Sequence, residues 1–134
     1  MNTPKVPWPK LSRGLIAILR GVRPEQVIAI ADVLVAAGFP AIEVPLNSPD
    51  PLRSIELLAR HAGTSIVIGA GTVLTAADVD RVADAGGRLI VSPNCDRSVI
   101  ERTVARGLVS MPGVLTPTDA FTALAAGASA LKFF

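Results

Sequence analysis

Six short hydrophobic runs recur along the chain: LIAIL at 15–19, AIEV at 41–44, IVIG at 66–69, LIVS at 89–92, LVSM at 108–111 and ALKF at 130–133. Each is too short for a helix and apolar at consecutive positions, which predicts strands of a parallel sheet covered on both faces. The segments between them have helical spacing. Pro24 and Glu25 open PEQVIAIADVLVAAG, Asp50 and Pro51 open DPLRSIELLARHAG, Thr75 precedes AADVDRVADAG, Asp96 precedes RSVIERTVARG, and Thr116 and Pro117 open PTDAFTALAAG. Each begins with a cap-type residue or a first-turn proline. Each ends on glycine, at 38, 63, 86, 107 and 127, where a left-handed helix cap is sterically free.

Strand and helix thus alternate with a period of roughly 20 to 26 residues, the βα repeat of a parallel α/β fold. Five βα units and a sixth strand fit into one domain spanning 1–134, with 1–13 as a lead-in and 14–134 as the repeating part. Two closures suit the count: an open doubly wound sheet, or a (β/α)8 TIM barrel of which the last units are missing. Length favours the open sheet. Against it, LRGVRP stands after the first strand where a dinucleotide fingerprint would be, and no reversal interrupts the even repeat.

Composition narrows the function classes. Half of the 134 residues are hydrophobic, enough for a core, and the formal net charge is only +2. The basic residues are spread along the chain, so neither a nucleic-acid stripe nor a polybasic membrane patch is expected. The most apolar stretch, VIAIADVLVAAGFPAIEVPL, is broken by Asp32, Gly38, Pro40 and Glu43, and the N-terminus lacks the apolar core of a signal peptide. With a single cysteine, Cys95, and a single histidine, His61, there is no internal disulfide framework and no Cys/His metal-ligand spacing. Both read as structural, and the expected compartment is a reducing cytoplasm.

In either architecture a ligand binds beyond the C-terminal ends of the strands. The strands deliver there Arg20, Glu43, Thr72 within GAGT, the turns SPN and MPG, and Lys132. Lys132 lies between Leu131 and Phe133 in an apolar run, and the only other lysines, Lys5 and Lys10, lie in the proline-rich lead-in. Such a lysine either snorkels, its stem packed and its head in solvent, or acts as an imine-forming nucleophile, which requires the neutral amine that burial favours. Leu131, Phe133 and Phe134 are the expected source of desolvation. Glu43 is either an ion-pair partner or a proton shuttle for that amine, held near the strand mouth by Pro45. Arg20 offers a planar fork for a substrate carboxylate, or is a solvated strand end. The glycines of GAGT make a tight turn, or allow close approach beside Thr72.

LIAILRGV, IEVPLNSPDP, IGAGTVLT, VSPN, MPGVLTPTDA and GASALKFF, in this order and spacing, resemble the class I aldolases of the KDPG/KHG aldolase family, which act on 2-keto-3-deoxy-6-phospho sugar acids. The resemblance runs from about residue 15 to the end. EVPLNSPDP and AILRG are most similar to the galactonate-type members; gluconate-type members typically carry Thr and Arg where Pro45 and Asn47 stand. The resemblance implies a (β/α)8 barrel, usually homotrimeric, that cleaves the phospho sugar acid to pyruvate and D-glyceraldehyde 3-phosphate without metal or organic cofactor. It implies Lys132 as the Schiff-base lysine, Glu43 as proton donor and acceptor, and Arg20 and Thr72 as substrate-binding groups. It also implies that the lysine strand continues as LKLFPA or similar, followed by two more βα units that hold the phosphate. A truncated record of a longer chain is therefore expected, with the sixth strand an unpaired apolar edge. The alternatives are the gluconate-type reaction and a non-catalytic barrel fragment that binds a keto acid or a partner chain. An open flavodoxin-like sheet would keep Glu43 and Lys132 too far apart to share a substrate.

Overall fold

A computed structural model describes residues 4–134; positions 1–3 of the predicted lead-in lie outside the described residues. The elements run β1 (Ala17–Ile18), α1 (Pro24–Ala36), β2 (Ala41–Pro45), α2 (Pro51–Ala62), β3 (Val67–Gly71), α3 (Ala76–Asp84), β4 (Leu89–Val91), α4 (Arg97–Ala105), β5 (Val109–Met111), β6 (Gly113–Val114), α5 (Pro117–Ala125) and β7 (Lys132–Phe133). β1 to β5 form one parallel sheet in sequence order, and β6 and β7 form a second parallel pair.

The helix boundaries follow local chemistry. Thr75, Asp96 and Thr116 each accept a backbone N–H from the first turn of α3, α4 and α5. α1 instead has Arg23 at its N-cap, whose N–H donates to the Gln26 side chain. Asp50 departs from expectation: it occupies the N-cap of α2 in a left-handed conformation (φ 40°), and its side chain makes no cap hydrogen bond. At the other end of α1, Gly38 has φ 89°; its N–H donates to Val35 O and that of Phe39 to Leu34 O, the paired bonds of a Schellman stop. α3, α4 and α5 end with the same pair of bonds at Gly86, Gly107 and Gly127.

The uniformly apolar strands conceal a period of two. Ile42, Val44, Ile68, Ala70 and Ile90 pack in one cluster with Val27 and Ala31 of α1, Ile55 and Leu58 of α2, Val79 and Val82 of α3 and Val99 of α4. The alternate residues Leu89, Val91 and Val109 form a separate cluster with Val67, Met111 and Ile16 that contains no helix residue. Helices therefore cover one face of the sheet, and the other face turns inward. A doubly wound sheet would carry helices on both faces. Strand order without reversal and one-sided helices are the barrel pattern, and the chain has the parallel TIM-barrel-type fold. Val6 and Trp8 pack against the inner cluster, so this part of the lead-in is tied to the barrel floor.

The fifth strand differs from expectation. Pro112 interrupts the run, and Gly113–Val114 resumes it as β6, pairing Gly113 with Lys132 and Val114 with Phe133. Ser129 and Ala130 N–H donate to Ser110 O, and Lys132 N–H to Pro112 O (2.9 Å). The segment predicted as an unpaired edge is thus hydrogen-bonded along one side to the chain from 110 to 114.

Candidate functional site

Glu43 is the third residue of β2, on the inner face, and 2% exposed. Its position follows from register: Ile18 pairs with it on one side and Gly69 on the other. Pro45 ends β2 without harming the ladder, because β1 has already stopped and no N–H is demanded there. Lys132 comes from β7, yet its Nζ lies 3.8 Å from Glu43 Oε1. β2 and β7 are not neighbours in either sheet, so this contact spans the interior, and the fold curls far enough to make it.

The Lys132 side chain is 27% exposed. Leu131 packs in the small cluster around Ile100, Val114 and Ala123, but Phe133 and Phe134 are 71% and 67% exposed and do not supply the expected desolvation. Phe134 instead places its ring 5.2 Å from the ammonium, close enough for a cation–π contact. The acid is the more deeply buried partner. Burial raises the Glu43 pKa above its ordinary value, with Lys132 and then Arg20 opposing the shift. Its Oε2 is buried and has no hydrogen-bond partner among the described residues. Burial favours the neutral form of this carboxyl group, which suits it to pass a proton to a reacting atom beside the amine.

Arg20 follows β1, whose path is set by the Leu19 N–H to Glu43 O bond (2.9 Å). Its guanidinium donates to Asn47 Oδ1 and, at 3.5 Å, to Thr72 Oγ1. Next to it, Gly21 N–H donates to the buried Ser48 Oγ (3.0 Å), so two bonds join the loop after β1 to the loop after β2. Thr72 follows β3 at φ 54° and is half-buried. Few non-glycine residues adopt this conformation, which marks a turn held by its surroundings; the Val73 N–H to Val91 O bond and the Ser92 Oγ bond to Val73 O (2.7 Å) hold the next residue.

All four residues singled out in the sequence therefore lie at one end of the barrel, Glu43 against Lys132 and Arg20 against Thr72. Two neighbours had roles that the sequence did not assign, although Gly71 belongs to the GAGT turn read as a site of close approach. Asn47, notable in the sequence only as a position that varies among relatives, fixes Arg20; Gly71 lies against the Glu43 carboxylate. Cys95 and His61 lie elsewhere: Cys95 Sγ contacts Asp119 O, and His61 Nε2 lies 2.7 Å from Asp32 Oδ1, linking α2 to α1.

Residues 10–134 match the family model described as KDPG and KHG aldolase. Over 130 residues, 97% of the chain, it is 56% identical to the probable 2-dehydro-3-deoxy-6-phosphogalactonate aldolase of Rhizobium meliloti (strain 1021), of which it spans 61%. It is 49% identical over 90% of its length to the 2-dehydro-3-deoxy-6-phosphogalactonate aldolase of Escherichia coli (strain K12), of which it spans 58%. The solved structure described as native KDPGal superposes with a TM-score of 0.92 at 47% identity, over 96% of this chain and 62% of that one. The chain thus spans about three fifths of the length of each of these three proteins.

Proposed function

Because the chain belongs to the KDPG and KHG aldolase family, we propose that the protein carrying it cleaves 2-dehydro-3-deoxy-6-phosphogalactonate to pyruvate and D-glyceraldehyde 3-phosphate through an imine on Lys132. The observation that carries this reading is the amine of Lys132 3.8 Å from the buried carboxyl of Glu43, at the end of the barrel where βα loops converge. Both relatives named above bear the galactonate designation, which supports the substrate.

In this reading the neutral Lys132 amine adds to the C2 ketone. Protonated Glu43 delivers a proton to the departing C2 hydroxyl, water leaves, and the iminium forms. The Glu43 carboxylate then takes the C4 hydroxyl proton as the C3–C4 bond breaks, its electron pair flowing into the iminium to give an enamine and the aldehyde. Glu43 returns that proton to C3, and water releases pyruvate. The raised Glu43 pKa supports a group that must be acid and base in turn. Arg20, steadied by Asn47 and Thr72, faces the substrate carboxylate with its planar fork. No metal or organic cofactor takes part in this scheme.

The test is intact mass after incubation with pyruvate and borohydride. A pyruvyl adduct on the parent and none on Lys132→Ala is the expected result; no adduct on a folded full-length parent would sink the imine reading. A second reading, cleavage of the gluconate epimer or of 4-hydroxy-2-oxoglutarate, is favoured by the family description, and relative kcat/KM on the three substrates separates the two. The same proposal takes the whole protein to be a cytoplasmic homotrimer. Ile30, Val33 and Val35, exposed on α1, support self-association, and an unpaired Cys95 suits a reducing compartment.

A further inference from the structure

We propose that Gly71 is a positioning residue for the proton shuttle: its missing side chain is the space in which the Glu43 carboxylate rests. This inference rests on the imine reading above. A Cβ built at Gly71 would overlap Glu43 Oε2 and stand 2.5 Å from Cδ and 2.8 Å from Oε1, so it would occupy the place of the carboxyl group itself. The cause is register and period. Glu43 pairs with Gly69 and Pro45 with Gly71, so Gly69 and Gly71 present their hydrogens to the inner face one strand away from Glu43. The glutamate leans toward the C-terminal end of the sheet, over Gly71 and toward the Lys132 ammonium.

The backbone does not itself require glycine here. Gly71 is absent from the glycines at positive φ, and its carbonyl accepts the Leu46 N–H at 2.9 Å in a regular ladder. Gly69 is a useful contrast, since its Cβ would overlap the Leu89 carbonyl oxygen, a backbone atom that cannot swing aside. At Gly71 the three nearest atoms all belong to the Glu43 side chain. Alanine there is therefore compatible with the sheet and incompatible with the observed carboxylate. It would drive the acid off the amine while leaving Lys132 in place.

The experiment uses the full-length protein and two half-reactions: borohydride trapping of pyruvate taken to its end point, which requires the lysine and which Glu43 only accelerates, and the rate of deuterium exchange into the pyruvate methyl group, which needs the shuttle at C3. Gly71→Ala is expected to keep the Lys132 adduct and to lose exchange by about 100-fold, the scale of a misplaced general acid–base group. Adding Glu43→Asp to Gly71→Ala shortens the acid by one methylene and should restore exchange by about tenfold over Gly71→Ala alone, though Glu43→Asp by itself slows the parent. A purely structural glycine gives no such rescue. Thermal unfolding provides a readout independent of activity: Gly71→Ala should lower Tm when Glu43 is present and have little effect in the Glu43→Ala background. Exchange by Gly71→Ala at the parental rate, or equal loss of Tm in both backgrounds, would overturn the inference. A parent that forms no Lys132-dependent adduct would overturn the imine reading first, and this inference with it.

Discussion

At the scale of single residues, the molecule places an acid and an amine in unequal environments. Glu43 is nearly inaccessible, whereas Lys132 keeps a quarter of its side chain in solvent and rests against Phe134. The sign of the pH dependence follows from the acid. Burial raises the folded pKa of Glu43 above the ordinary 4.5, so the folded state binds its proton more tightly than the unfolded chain. Stability from this group is greatest below the ordinary value and declines as pH rises through the raised one. Glu43→Gln should therefore flatten the fall of Tm with pH across that window, measured as thermal unfolding from mildly acid to neutral pH. Ser54 provides a second residue-scale prediction. Its Oγ is buried in α2 with no hydrogen-bond partner among the described residues, so Ser54→Ala removes an unsatisfied group and should stabilise by about 1 kcal/mol, read as a higher denaturation midpoint in urea. Cys95 is poised against reaction: burial foremost, then Asp119 and Asp96, pushes its thiol pKa up. Alkylation by iodoacetamide at pH 8 should be slower than for a free cysteine, and denaturation should abolish the difference.

At the scale of elements, the helices are delimited by chemistry that a reader of the sequence can follow. Asp96 Oδ1 accepts from Ser98 N (2.8 Å) and Val99 N (3.3 Å), and four of the five helices end in Schellman bonds at the glycines that punctuate the chain. Asp96→Ala should cost about 1 kcal/mol, measured by urea unfolding, because it leaves the first N–H groups of α4 without this acceptor. Asp50 shows the limit of such signals. The residue type and the following proline mark a helix start, and α2 does begin there, but the left-handed backbone directs the side chain away from the cap. The interruption of the fifth strand at Pro112 has a similar origin: its proline was visible in MPG, but the pairing of β6 with a segment nearly 20 residues later was not.

At the scale of the whole molecule, the decisive fact is curvature. Five strands in sequence order, helices on one face and an acid–amine contact across the interior belong together, since only a curled sheet brings β2 and β7 to one site. Side-chain ties outside the sheet help hold the wall. Asp80 of α3 accepts from Arg102 of α4 and from Arg106 at the C-cap of α4, and Arg106 also binds Asp84, each at 2.7 Å. Hydrogen bonds from Arg102 first and Arg106 second lower the Asp80 pKa below its ordinary 3.8. The stability it contributes is present above that value and is lost as pH falls through the lowered one. Asp80→Asn should lower Tm at neutral pH, by an amount that shrinks in molar salt, where exposed ion pairs are screened.

From the sequence alone the element order, the helix caps, the glycine stops and the residues able to do chemistry were all legible, because each rests on local spacing or on the rarity of a residue type, such as one lysine in an apolar run. The resemblance of six motifs in register supplied the barrel and the roles to be tested. Tertiary structure decided what local patterns cannot encode. Which face of an apolar strand is inner depends on register, and that choice put Glu43 and Gly71 together. Whether Lys132 is buried depends on where Phe133 and Phe134 turn, and both turn largely to solvent. The sequence offered Gly71 only as one of the GAGT glycines that permit close approach, and Asn47 only as a position that differs among relatives; neither pattern named the group each would meet. Their meaning comes from a guanidinium and a carboxylate that folding brings from other strands.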